Sequence, residues 1–411
     1  MIASAVYAMF GDHSRYKNFT GLGNGLSLSQ DDETIAFSYY LNGSEAIYTG
    51  SLEDRSIDKL TEPEDGMHHR SPQFSPDGKA MFYLAANREN IQHLLYVEDS
   101  ETTKLTNEKT HVFSAAFSPD GETIYYTAIP TEELRKAEGQ QENGVDLFSV
   151  SIDGNHQQLT DEDAFSVNGL SVSPDGSTVF YNSFDGNQRL YAYHLEDQTK
   201  EAYLSEHLPS DIYHPVFSPA GDQLAYTAVA GKSANGTFQY ELFLMDTNTG
   251  EKKKLTNYEA SLTSPVFFHQ ENRLIFLGQS NWPVKPAAYQ LMTVDNNKEK
   301  AVPIRLSLPE PDRNFRPGEM LAEWVDIKTI AGLYILLFGL MTIYFQSKSN
   351  KTYLPSIISG CLAAILLLAS IAAAAFNPWA GSGLFGVAVG LSACSGIILS
   401  FAFIYQQAGR K

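Results

Sequence analysis

Hydrophobic positions fall in short runs along most of this chain, and each pair of runs is joined by the same kind of turn. Ser75-Pro76-Asp77-Gly78, Ser118-Pro119-Asp120-Gly121 and Ser173-Pro174-Asp175-Gly176 are identical, and Ser218-Pro219-Ala220-Gly221 is a close variant. Ser29-Gln30-Asp31-Asp32 and Phe268-His269-Gln270-Glu271 hold the same place in degraded form. Proline presets φ at the second position, Asp bonds its own backbone, and glycine takes the left-handed conformation at the exit. Apolar residues stand before each turn (Leu28, Phe74, Phe117, Val172, Phe217, Phe267). Longer apolar runs follow it, such as Met81-Phe82-Tyr83 and Leu274-Ile275-Phe276. Such continuous runs predict strands buried on both faces. A third strand follows (Leu94 to Val97, Leu147 to Val150, Leu190 to Tyr193, Leu242 to Met245). A fourth, more polar one ends at Leu60-Thr61, Leu105-Thr106, Leu159-Thr160 or Leu255-Thr256.

Four antiparallel strands per repeat, with polarity rising outward, predict a β-propeller of six blades over residues 21–308. A linear solenoid is the architectural alternative. Residues 17–20, ahead of the first repeat, read as an outer strand able to close the ring against the last blade.

The order of apolar strand, Ser-Pro-Asp-Gly turn, apolar strand, third strand and terminal Leu-Thr resembles the TolB-like propeller repeat from roughly Leu22 to Leu308. Related blades occur in the propellers of prolyl oligopeptidase-type peptidases. The resemblance implies a scaffold that hosts binding proteins, gating domains and some enzymes, and in the TolB-like group one that holds protein partners at the cell envelope.

From residue 326 the pattern changes. Three apolar stretches, 328–345, 353–376 and 382–405, are long enough to span a bilayer, which predicts an all-β propeller followed by an α-helical membrane domain of three transmembrane helices. Tyr353, Trp379 and Tyr405 stand where interfacial aromatics belong. The last two stretches contain no ionisable residue, so they read as anchor and packing surface rather than as a transport path. Gly386 and Gly390 form a small-xxx-small pair suited to a helix partner. A Pro-rich linker, 309–325, separates the two parts.

Charge divides the chain at the same point. The whole chain carries −19, residues 326–411 carry +4, and the first 325 residues therefore carry −23. A domain this acidic repels phosphate backbones, which excludes nucleic acid as a partner. Both cysteines, Cys361 and Cys394, lie in the apolar part, so the propeller has neither disulfide nor thiolate site.

Candidate chemistry is sparse. There is no G-x-S-x-G elbow, no H-E-x-x-H, no Walker loop and no EF-hand loop, and no linear motif calls for a cofactor or a metal. His68 and His69 suggest a metal pair, but no second pair has matching spacing. Propeller geometry puts the Ser-Pro-Asp-Gly turns on one face and the interblade links and longer loops on the other. Residues four or five before each turn serine set the channel mouth on that second face: Asn24, Arg70, Ser71, Ser114, Asn168, Tyr213, His214, Thr263 and Ser264. Trp282 projects from a loop between prolines on the same face. These residues are the predicted ligand site, for a small ligand or an envelope protein; the alternatives are that the ring hydrates the channel and that Trp282 packs on its own blade. A non-enzymatic binding or assembly module is the favoured class. An enzyme acting on carbohydrate or peptide, and an accessory subunit of a membrane complex, are the other readings.

The short loops decide orientation. Lys348 and Lys351 follow the first stretch, and Arg410 and Lys411 end the chain. Both basic segments face one side if all three stretches span. That predicts a cytoplasmic C-terminus and an extracytoplasmic propeller at the cell membrane. The leading Ile2-Ala3-Ser4-Ala5-Val6-Tyr7-Ala8-Met9-Phe10 reads as the remnant of a signal peptide or anchor whose start is missing.

Overall fold

The computed structural model describes residues 16–136, 140–184, 186–298, 300–311, 327–375 and 378–408. The expected leading anchor, most of the Pro-rich linker and the terminal Arg410 and Lys411 lie outside the described residues. Two compact units result, one from residue 14 to 312 and one built on the C-terminal helices.

The first unit is a six-bladed propeller. Each blade is a four-stranded sheet whose strands follow in chain order, and every neighbour pair is antiparallel. The inner strands are β1 (Gly21–Leu28), β5 (His68–Phe74), β9 (Thr110–Phe117), β13 (Val167–Val172), β17 (Ile212–Phe217) and β21 (Ser261–Phe267). The apolar runs after the turns form the second strands, which carry the core. All seven residues of Ala80–Ala86 are buried, and Tyr181, Tyr226, Phe82 and Phe276 rank among the largest fully buried side chains. Each such ring contributes roughly 2–3 kcal/mol through burial.

The terminal Leu-Thr pairs of the fourth strands have a shared task. Leu105 and Leu255 are buried in blade cores and Leu159 packs against one, whereas Leu60 is exposed; in all four pairs the threonine hydroxyl accepts a backbone N–H from the third strand. Thr61 does so for Ile47 (3.0 Å), Thr106 for Leu94 (2.9 Å), Thr160 for Leu147 (2.9 Å) and Thr256 for Leu242 (2.9 Å). These N–H groups would otherwise be unpaired where the outer strand ends.

The ring closes differently from the expectation. Residues 17–20 form no strand. The Phe19 carbonyl accepts from Gly43 N (2.9 Å) and the Thr20 hydroxyl from Asn42 N (3.0 Å), so the segment covers the second hairpin of blade 1. Blade 6 makes its own outer strand at Val302–Pro303. The chain beyond it crosses to blade 1, where Ile304, Leu306 and Leu308 join a core shared by Leu22, Phe37, Phe268 and Leu291. At the turn face Asp32 clasps blade 6, accepting from His269 N (2.9 Å) and Gln270 N (2.7 Å). Among the described residues no strand is exchanged between the ends, and closure rests on side chains and a trailing apolar segment.

The second unit holds helices Ile327–Ser349, Leu354–Ala374 and Pro378–Ala408. Each contains a stretch long and apolar enough to cross a membrane. Phe338, Cys394, Ile398 and Ala402 are buried among them. A hydroxyl chain ties the three together: Tyr334 donates to Ser359 (2.8 Å), which meets Ser395 (2.6 Å). Gly386 and Gly390 lie outside this packing, since a Cβ added at either meets nothing within 4 Å.

Candidate functional site

A β-bulge or register shift interrupts every inner strand toward its loop-rich end. In blade 2 Arg70 pairs with Leu84 and Gln73 with Phe82, which leaves Ser71 and Pro72 opposite one residue. Blades 4, 5 and 6 show the same one-residue shift; in blade 3 the extra residue is Phe113, one place earlier, and blade 1 shifts by two residues between Leu22 and Leu26. The bulged residue is left-handed in five blades: Gly25 (φ 103), Ser71 (φ 52), Gly169 (φ 65), His214 (φ 51) and Ser264 (φ 52). For the three that are not glycine this conformation costs about 1 kcal/mol or more each. Pro72, Pro215 and Pro265 follow immediately and remove an N–H that the broken ladder no longer needs. The bulge bends the strand and turns its side chains toward the axis.

The six bulges surround a central channel of about 1040 Å³. Of the ten residues expected at the site, seven line it: Asn24, Ser71, Ser114, Asn168, Tyr213, His214 and Ser264. Three do not, and each has a physical reason. Arg70 turns away to an ion pair with Glu45 of blade 1, 2.9 Å away and almost wholly buried. Burial raises the Glu45 carboxyl above its ordinary pKa, while Arg70 and hydrogen bonds from Tyr40 and Ser38 oppose the rise. Thr263 is buried behind the wall, where its hydroxyl reaches His214 Nε2 (3.0 Å) and Asn24 Oδ1 (3.4 Å). Trp282 packs on the neighbouring blade, donating Nε1–H to the Phe238 carbonyl (2.9 Å) and meeting Tyr240 edge-on at 5.8 Å.

Among the described residues no Asp, Glu, Lys or Arg lines the channel, although the domain around it is strongly acidic. The walls push the His214 imidazole down to about 4. Its ring is also exposed to the lumen, whose water moderates that push, and both influences leave it neutral at pH 7. His214, Thr263, Asn24 and Ser264 form one hydrogen-bonded arc over blades 5, 6 and 1, closed by Ser264 donating to Asn24 Oδ1 (2.9 Å).

Exposed apolar side chains collect on this face. Phe113 stands in the channel wall, Phe165 and Phe184 pair on blade 4, and Val229, Phe238 and Val284 crown blades 5 and 6. From Tyr213 at the rim an aromatic row runs outward to Tyr240 (5.6 Å) and Trp282 (5.8 Å). Sequence reading missed Phe113, Phe165 and Phe184 because an isolated aromatic beside a strand end looks like core. The signal that marks the bulges was present: Pro72, Pro215 and Pro265, with Gly25 and Gly169, sit at fixed distances before the turns.

The insertions fold on themselves. In the first, buried Glu133 accepts from Glu142 N (3.0 Å), Asn143 (2.9 Å) and Lys136 (3.0 Å). In the last, the Asn281 amide donates to the Pro286 carbonyl (2.9 Å) and its oxygen accepts from Ala288 N (2.8 Å).

The opposite end is plainer. In each intact turn serine bonds aspartate, and the aspartate accepts a backbone N–H; Ser75 to Asp77 is 2.7 Å and Lys79 N to Asp77 is 3.1 Å. These bonds hold Asp77 and Asp175 down to about 2. Turn glycines abut the preceding blade's proline: a Cβ at Gly221 would lie 3.3 Å from Pro174 and one at Gly121 3.4 Å from Pro76. Pro76, Pro119, Pro174 and Pro219 rim the channel there.

No family model and no curated protein sequence matches the chain. Solved structures do. TolB from Acinetobacter baumannii superposes with a TM-score of 0.52 at 15% identity, over 69% of this chain and 66% of that one. An oligogalacturonate lyase from Vibrio parahaemolyticus gives 0.47 at 15% identity, over 67% and 91%. A puromycin hydrolase gives 0.49 at 14% identity, over 72% and 55%. The chain thus shares the six-bladed propeller fold of TolB, joined here to three helices able to cross a membrane.

Proposed function

We propose that this chain is a membrane-tethered binding module at the cell envelope, whose propeller engages a ligand or protein partner at the loop-rich mouth of its channel. One observation carries the reading. The mouth concentrates strained bulges, unpaired polar side chains and exposed aromatics, whereas the turn face has its polar groups paired locally. Strain and exposed aromatics collected on one face of a rigid scaffold favour recognition there. The basic residues Lys348, Lys351, Arg410 and Lys411 support a cytoplasmic C-terminus and an extracytoplasmic propeller.

A photo-crosslinking side chain at Phe165 in intact cells should form adducts, and one at Asp120 on the turn face should not. Equal labelling from both positions defeats the assignment of the face. Protease added to spheroplasts should digest the propeller; full protection defeats the orientation. The outward-facing Gly386 and Gly390 favour a second reading, in which another membrane helix docks on the last span of an accessory subunit.

A further inference from the structure

We propose that the channel mouth receives the uncharged end of an oligosaccharide chain. This rests on the mouth being the binding site, and it adds the chemical class of what is bound.

Charge makes the first cut. Among the described residues the lining contains no carboxylate, ammonium or guanidinium group. The one ion-paired side chain among the lining residues, His269 with Asp32, belongs to the turn face at the other end. A uronate, phosphate or cationic peptide entering the mouth would shed water and meet no counter-charge, at a cost of several kcal/mol per ion. A neutral ligand bears no such penalty.

Unspent hydrogen bonds make the second. Asn168 presents a whole amide to the lumen with no partner among the described residues, and Ser71 presents a hydroxyl in the same state. Ser114 accepts from Leu170 N (3.3 Å) and keeps its own proton to donate. Asn24 uses its oxygen on Ser264 and keeps its NH₂. These four groups come from consecutive blades 1 to 4, so they form an arc over one side of the channel, facing the Tyr213 and His214 side. Every one is a neutral hydroxyl or amide, and together they donate and accept. A pyranose carries hydroxyls, each both donor and acceptor, around its circumference. An extended peptide offers its amides along two opposite edges and leaves most of such an arc unused.

Shape makes the third. Tyr213 stands at the rim among these groups, and the row through Tyr240 to Trp282 leads outward from it in steps of 5.6 and 5.8 Å. The rings meet edge to face, and an aromatic face suits the C–H surface of a sugar unit while its hydroxyls turn to the polar groups. The channel, about 1040 Å³ from the mouth to the turn face, has room at its mouth for one or two terminal units.

The test is calorimetric titration of the detergent-solubilised full chain with maltohexaose, cellohexaose and N-acetylated chitohexaose. Hexagalacturonate and the fully deacetylated chitosan hexamer serve as charged counterparts, and a Gly-Ser hexapeptide as the neutral peptide control. Saturable binding of at least one neutral sugar, weakened about tenfold by Asn168→Ala at unchanged melting temperature, is expected. Equal or tighter binding of a charged sugar or of the peptide overturns the inference. So does neutral-sugar binding that Asn168→Ala and Ser71→Ala leave intact, since it would lie elsewhere. If no sugar binds while crosslinking from Phe165 persists, the sugar inference fails and the mouth stands as a site for another ligand class.

Discussion

The two faces of the propeller are made from the two ends of the same strands, yet they are built on opposite rules. On the turn face polar groups are satisfied within a few residues. Serine bonds aspartate, aspartate accepts from backbone, and glycine packs on the preceding blade's proline. On the loop-rich face the same inner strands are broken by bulges, three non-glycine residues are held left-handed, and amides and aromatics are left facing space. Repetition favours the first arrangement, because each identical turn stabilises its own hairpin. The second consumes stability. A fold retains such costs where geometry for a ligand outweighs them.

Arg70 offers the largest expected effect and tests where the site ends. Its guanidinium belongs to the seam between blades 1 and 2. Arg70→Glu would place a second carboxylate against buried Glu45 and cost about 3 kcal/mol or more. Thermal unfolding should show the loss directly. A variant that melts like the wild type would return Arg70 to the ligand site.

Acid should separate the faces next. His69 and His111 stand near the loop-rich starts of their inner strands, buried and held down to about 4, chiefly by that burial. Unfolded, they titrate near 6.5. Their neutral forms are favoured by folding, so the stability they lend is complete above pH 6.5 and is lost as pH falls toward 4. Asp77 and Asp175 on the turn face start from 3.8 and are held to about 2. Their contribution is present above 3.8 and fades only as pH drops through 2. Melting temperature should therefore fall between pH 6.5 and 4 before the turn face is touched, and hydrogen exchange should rise first around His69 and His111. Earlier exchange at the Ser-Pro-Asp-Gly turns would break the contrast.

The part of this design that repeats was legible in sequence. Four turns with fixed chemistry and the apolar runs beside them specify six blades, and long apolar stretches specify the helices. Residues that aim inward at a bulge were legible too: Asn24, Ser71, Ser114, Asn168, Tyr213, His214 and Ser264 all reach the channel. What sequence position could not give was the direction of a long side chain. Arg70 sits one residue from Ser71, but a pleated strand sends neighbours to opposite faces, and buried Glu45 awaited it there. Trp282 stands in a projecting loop, yet its indole N–H found a carbonyl on the next blade. Ring closure was equally hidden, since the trailing Ile304, Leu306 and Leu308 look like any other outer-strand residues.

Glycine exchange probes the backbone rules with smaller effects. Gly221→Ala forces a Cβ onto a residue at φ 75 beside Pro174 and should cost about 1–2 kcal/mol. Ser71→Gly runs the other way. It relieves a left-handed serine at φ 52, which offsets the extra chain entropy of glycine, so stability should stay within about 0.5 kcal/mol of wild type. Paired denaturant titrations read both. A clear loss at Ser71→Gly would mean that its hydroxyl, and not its backbone, serves the fold.

The finest separation is between aromatics that hold the loop-rich face together and aromatics that it displays. Trp282 is half-buried, bonded to Phe238 and set edge-on against Tyr240, so Trp282→Ala removes a hydrogen bond and an aromatic contact between blades. A loss of about 1–2 kcal/mol follows, visible as a lower melting temperature. Phe165 is 74% exposed and, among the described aromatic rings, pairs with Phe184 alone. Its removal forfeits little burial, and Phe165→Ala should leave stability within about 0.5 kcal/mol of wild type. If the mouth is where a partner rests, adduct formation from a crosslinker placed at neighbouring Phe184 should nonetheless drop in the Phe165→Ala background. Trp282→Ala should lower the melting temperature whether or not a partner is present. Should Phe165→Ala destabilise as much as Trp282→Ala, the exposed aromatics are packing for the fold, and the asymmetry between the faces would be one of loop length alone.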